Sequence, residues 1–66
     1  MEISLNGKSK NLDKKISIKQ LIKEKGKSPA EVIVVYNGQL LNRKKWSETI
    51  LKDQDDLEVL RFVGGG

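Results

Sequence analysis

The chain has 66 residues, with 13 lysines and arginines against 9 acidic residues, a net charge of +4 and a pI near 9.5. It has no cysteine and no histidine. Disulfides, thiolate metal sites, imidazole bases and nucleophilic triads are therefore all missing from its repertoire. One small domain fits this length, burying about 60% of its unfolded surface. The nine carboxylates are scattered without a metal-loop spacing, so an autonomous enzyme is not expected and no bound metal or cofactor is expected.

A basic balance raises nucleic-acid binding as a possibility. The lysines, however, alternate with acids, and only one Trp, one Tyr and one Phe are available for stacking. A solvated surface is the expected meaning of the charge, with no nucleic-acid partner. No apolar run approaches a membrane span and no signal-peptide core opens the chain. A cytoplasmic protein, monomeric when free and without a membrane partner, is the expectation.

Residues 2–5 alternate polar and apolar, which predicts a half-buried strand with Ile3 and Leu5 facing the core. Asn6-Gly7 is a strong signal for a type I′ hairpin turn, because both central residues need positive φ. The lysine-rich return, residues 8–12, suits an exposed edge strand. Ser17 and Gln20 have the spacing of a capping box, with Ile16 and Leu21 placed as a hydrophobic staple. Ile18, Leu21 and Ile22 form one helical stripe, and Gly26 supplies a left-handed stop. Pro29 lies in the connection that follows.

Val32-Ile33-Val34-Val35-Tyr36 is rich in β-branched residues and apolar on both faces. That predicts an inner strand, or one whose outer face is also covered. Asn37-Gly38 repeats the turn signal, and residues 39–42 return as a short strand. Residues 43–56 read as a short helical turn or a loop, with Trp46 as a core plug and Ile50 and Leu51 buried beside it. Asp53 to Asp56 reads as a polar turn. A last strand over residues 57–63 runs into Gly64-Gly65-Gly66.

Two hairpins, one helix and a last strand make an α+β fold with a mixed five-stranded sheet and one main helix packed on one face. Pairing the first and last strands in the centre gives the β-grasp, or ubiquitin-like, architecture. The expected organisation is a domain over residues 1–63 with a glycine tail over 64–66.

Three glycines carry no side-chain chemistry, so the reactive group of such a tail is the carboxylate of Gly66. Glycine threads where a Cβ clashes, and Gly64, Gly65 and Gly66 span at most about 10 Å when extended. An α-carboxyl ionises near pH ~3.5 and is a nucleophile at neutral pH. Fraying of a terminus is the competing reading of the same glycines. Strand alternation puts Leu60 and Phe62 on the sheet face opposite the helix if Leu57 and Val59 face it. Val35 or Ile33 then extends an apolar patch, which marks a partner site unless the 43–56 segment covers it.

The whole chain resembles the ThiS family of sulfur carriers within the ThiS/MoaD ubiquitin-like group. The resemblance rests on the opening Met-x-Ile-x-Leu-Asn-Gly, the central Val-Ile-Val-Val-Tyr-Asn-Gly and the closing segment Asp55 to Gly66. It implies a partner adenylating enzyme of the ThiF type that uses ATP and Mg to activate the Gly66 carboxylate. A cysteine desulfurase would supply sulfur, giving a Gly66 thiocarboxylate. A thiazole synthase of the ThiG type would take that sulfur for thiazole formation in thiamine biosynthesis. Alternatives are a sibling carrier for molybdopterin or tRNA thiolation, a ubiquitin-like modifier conjugated through Gly66, and a plain interaction domain.

Overall fold

The computed structural model describes residues 1–61. Strand β1 (Glu2–Leu5) turns at Asn6-Gly7 into β2 (Lys8–Asn11). Helix α1 (Ile18–Glu24) follows, then a 3-10 turn at Pro29–Glu31, β3 (Val32–Tyr36) and β4 (Gln39–Leu41). A second 3-10 turn at Arg43–Lys45 opens the crossing to β5 (Asp56–Arg61). The five strands form one sheet in the order β2-β1-β5-β3-β4. β1 and β5 are parallel neighbours at the centre, and the other pairs are antiparallel. This is the α+β, β-grasp arrangement expected from the sequence. The expected boundary between residues 63 and 64 lies outside the described residues.

Local chemistry explains each element. Both hairpin turns have positive φ at both central positions, Asn6 and Gly7 in one and Asn37 and Gly38 in the other, as type I′ geometry requires. α1 opens on the capping box: the Gln20 N–H donates to Ser17 Oγ at 3.1 Å, and the Ser17 N–H donates to Gln20 Oε1 at 3.1 Å. It closes on a Schellman motif around Gly26 at φ +72°. There the Lys27 N–H donates to the Ile22 carbonyl at 3.2 Å and the Gly26 N–H to the Lys23 carbonyl at 3.0 Å. Seven residues cannot sustain a helix in water alone, so packing of its apolar stripe holds α1 in place.

The core lies between α1 and one face of the sheet. Ile18, Leu21 and Ile22 from the helix join Ile3, Leu5, Val32, Val34 and Leu57 from the strands, all buried. Trp46 and Leu51 close the end of this core. Trp46 is a core plug, with its Nε1–H donating to the Leu41 carbonyl at 3.3 Å. Ile50 departs from expectation: it is 44% exposed. Residues 49–51 run beside residues 16–18, with hydrogen bonds from Ile18 N to Thr49 O and from Leu51 N to Ile16 O. This short extended pairing alternates side chains, so Leu51 points in and Ile50 points out.

Candidate functional site: the open sheet face and the last strand

β5 is the strand that leads to the glycine tail, and it is held from both sides. β3 pairs with it antiparallel from Val32–Arg61 through Tyr36–Leu57. β1 pairs with it only at Ser4–Asp56 and Leu5–Leu57. The asparagines of the two turns complete the hold. The Asn6 N–H donates to the Leu57 carbonyl at 2.9 Å, and Asn6 Oδ1 accepts from the Val59 N–H at 2.8 Å. The Asn37 N–H donates to the Asp56 carbonyl at 2.7 Å, and Asn37 Oδ1 accepts from the Asp56 N–H at 2.8 Å. Each Asn-Gly turn therefore also acts as a clamp on β5.

Asp55 anchors the start of the strand. The residue is 4% exposed. Its carboxylate accepts from the Tyr36 hydroxyl at 2.6 Å, the Lys52 backbone N–H at 2.8 Å and Asn37 Nδ2 at 3.2 Å. Burial alone raises this carboxyl's pKa. The hydrogen bonds from Tyr36, Lys52 and Asn37, with the Lys52 charge, outweigh it and hold the group below its usual range. The Tyr36 hydroxyl is pushed up, first by burial and then by its bond to Asp55. Composition and spacing mark this segment as a polar turn, and Asp55 otherwise enters as the first residue of the closing segment that carries the resemblance. The signal that could have found Asp55 is its place directly before a strand that must pair with the Asn37 turn.

Alternation along β5 buries Leu57, half-buries Val59 against the core and exposes Glu58 and Leu60. In β3, Val32 and Val34 are buried, while Ile33 is exposed and Val35 half-buried. The open face carries Leu60 at 44% exposure directly across from Ile33 at 37%. Val35 sits between Glu58 and Leu40 in the register, and Leu40 is 72% exposed. Leu60, Ile33, Val35 and Leu40 thus form an apolar band across β5, β3 and β4. Large exposed aliphatics gathered on one face are unusual for a small soluble domain. The 43–56 segment leaves this band uncovered, because Trp46 lies in the core.

Of the residues singled out from sequence, Leu60 and Val35 share this face. Phe62, Gly64, Gly65 and Gly66 lie outside the described residues. Ile33, the sequence's alternative to Val35, lies on the same face with it. Leu40 was missed, although the two-residue turn at Asn37-Gly38 fixes its pairing opposite Val35. Beside the band, a hollow of about 550 Å³ is lined by Ile33, Leu40, Arg43 and Lys44 among others. Among the described residues no group of three His, Cys, Asp or Glu side chains is placed to hold a metal ion. No helix among them is long and apolar enough to cross a membrane.

A small β-grasp domain with an apolar open face and a last strand braced from both sides belongs to the ubiquitin-like class. Residues 3–66 match the model of the ThiS family, and the chain is a member of that family. It superposes on the crystal structure of a thiamine biosynthesis protein (ThiS) from Geobacter metallireducens with a TM-score of 0.86. The identity is 33%, with 100% of both chains covered. It is 38% identical over all 66 residues to the uncharacterized protein ycf40 of Pyropia yezoensis, covering 93% of that protein. It is also 32% identical over all 66 residues to a thiazole synthase of Magnetococcus marinus, of which it spans only 20%.

Proposed function

We propose that this chain is a sulfur carrier of thiamine biosynthesis, a protein co-substrate whose working group is the carboxylate of Gly66. The observation that carries the reading is the family match through Gly66, joined to a fold that braces the strand leading there. The carboxylate attacks the α-phosphate of Mg-bound ATP in a ThiF-like adenylating enzyme. Pyrophosphate leaves and an acyl-adenylate forms. A sulfide equivalent, with a cysteine desulfurase as its source, then adds to the acyl carbon and displaces AMP. The resulting thiocarboxylate donates its sulfur to thiazole formation.

Among the described residues there is no histidine or cysteine to activate a carboxylate, so activation comes from a partner. Gly64 and Gly65 give a tail narrow enough to enter that partner's active site while the body stays outside. The apolar band at Leu60, Ile33, Val35 and Leu40 serves as the docking surface, with Leu60 on the strand that leads in sequence to the tail. A thiazole synthase that contains a stretch similar to this whole chain supports a ThiG-like synthase as the enzyme that takes the sulfur.

The test is ATP-dependent activation by the adenylating enzyme, run on two variants. Gly65→Ala abolishes acyl-adenylate formation with no change in melting temperature. Leu60→Asp weakens binding to the enzyme and leaves melting unchanged within about 0.5 kcal/mol, as for an exposed site. Normal activation of Gly65→Ala contradicts tail threading. A strongly lowered melting temperature for Leu60→Asp contradicts a docking role for the open face.

A further inference from the structure

β5 outruns β1. β1 stops pairing at Leu5–Leu57, whereas β3 accompanies β5 to Arg61. Among the described residues no β1 strand lies beside β5 beyond Leu57: on that side the Asn6 side chain takes the Val59 N–H, and alternation turns the Val59 C=O and the Arg61 N–H to the same edge. Next to this edge, on the helix side of the sheet, lies a groove of about 420 Å³. Its apolar floor includes Leu21, Ile22 and Val59, and its rim carries Lys8, Lys25 and Lys27. An adjoining hollow shares Lys25 and Lys27 and reaches Arg61.

The charged side chains that line the groove itself, Lys8, Lys25 and Lys27, are of one sign, and Glu31 lines only the adjoining hollow. Lys8, Lys25 and Lys27 are exposed. Among the described residues the one ion pair within 4.0 Å is Arg61 with Glu31, at 3.9 Å and on the surface. These lysines come from the β1–β2 hairpin and from the chain just after α1, so the fold, and not a sequence run, gathers them. An unpaired strand edge accepts another extended segment through main-chain hydrogen bonds. A cationic rim beside it selects a segment of opposite charge and speeds its arrival. The groove is lined by Val59 of β5, the strand that leads in sequence to Gly66, so an enzyme that takes the tail docks close to this strand.

We propose that this groove seats an acidic, extended segment of the enzyme that takes the tail, lying along the edge of β5 with its carboxylates toward Lys8, Lys25 and Lys27. This seat is separate from the apolar band, which lies on the opposite face of the sheet. It rests on the carrier reading and gives that reading a partner chemistry. A protein that meets more than one enzyme through a short tail gains from a second contact at its root, because charge sets the encounter while the tail sets the chemistry.

The experiment compares wild-type protein with the triple variant Lys8→Glu, Lys25→Glu, Lys27→Glu, using the adenylating enzyme of the same pathway with Mg-ATP. Circular dichroism and melting confirm that the variant is folded, and Lys→Arg at the same three positions is the charge-preserving control. At low ionic strength the charge reversal raises KM for the carrier at least about tenfold and leaves kcat unchanged. The difference shrinks as salt is raised, and the arginine variant behaves as wild type. If the charge-reversed variant keeps the wild-type KM at every ionic strength, the groove proposal is overturned and the carrier reading stands. If the enzyme ignores wild-type protein altogether, the carrier reading falls and takes the groove with it. If a single-stranded DNA oligonucleotide competes for wild-type protein, or if the wild type self-associates and the triple variant does not, the occupant is a polyanion or a second copy, and the proposal is overturned.

Discussion

Asp55 ties Tyr36, Asn37 and Lys52 to one carboxylate, and it does so 4% exposed. A buried charge survives only when its hydrogen bonds are complete. Among the described residues no buried side-chain nitrogen or oxygen lacks a partner, so this one is complete. Asp55→Asn keeps the shape but reverses one end of the hydrogen-bond pattern, and we expect it to cost about 1–3 kcal/mol in urea unfolding at pH 7. The pH dependence follows from the direction of the shift. The folded carboxyl lies below its unfolded value, so its contribution is fully present above an unfolded pKa of about 3.9 and fades as pH falls through the folded value. The gap between wild type and Asp55→Asn therefore closes in the acid range below about pH 4. A gap that persists unchanged there would mean that the carboxylate charge contributes nothing.

The hairpins do two jobs at the level of elements. Each Asn-Gly turn reverses its own strands and lends its asparagine to β5. Asn37 has φ +49°, a region that costs other side chains about 1–2 kcal/mol. Asn37→Ala therefore loses both the left-handed preference and the bonds to Asp55 and Asp56, and should destabilise by about 1–3 kcal/mol. Asn37→Gly separates the two, because glycine restores the φ and not the side chain. Equal stability of Asn37→Gly and wild type would show that the clamp is idle.

The turns, the capping box and the glycine stop were legible because each is written in adjacent residues that impose one backbone geometry. The helix stripe was legible because three apolar residues suffice to define it. The clamps, the Asp55 anchor and the outward turn of Ile50 were not, since each depends on which strand arrives from 18 to 53 residues away. Leu40 lies between these cases: its turn fixed its facing, but only pairing with Val35 and the nearness of Leu60 give that facing a meaning.

Over the whole molecule, features with different chemistry surround one strand. The apolar band occupies the open face, the lysine-rimmed groove lies at the free edge of β5 on the other face, and the core holds the strand between them. On the carrier reading proposed above, the described body is a mount and the chemistry lies at Gly66. Intact mass spectrometry of the protein isolated from cells that carry the pathway tests this directly. The expected result is a fraction heavier by the difference between one sulfur and one oxygen, located at Gly66 and consumed by alkylation. Finding only the free carboxylate, with sulfur supply and the adenylating enzyme both present, would contradict it.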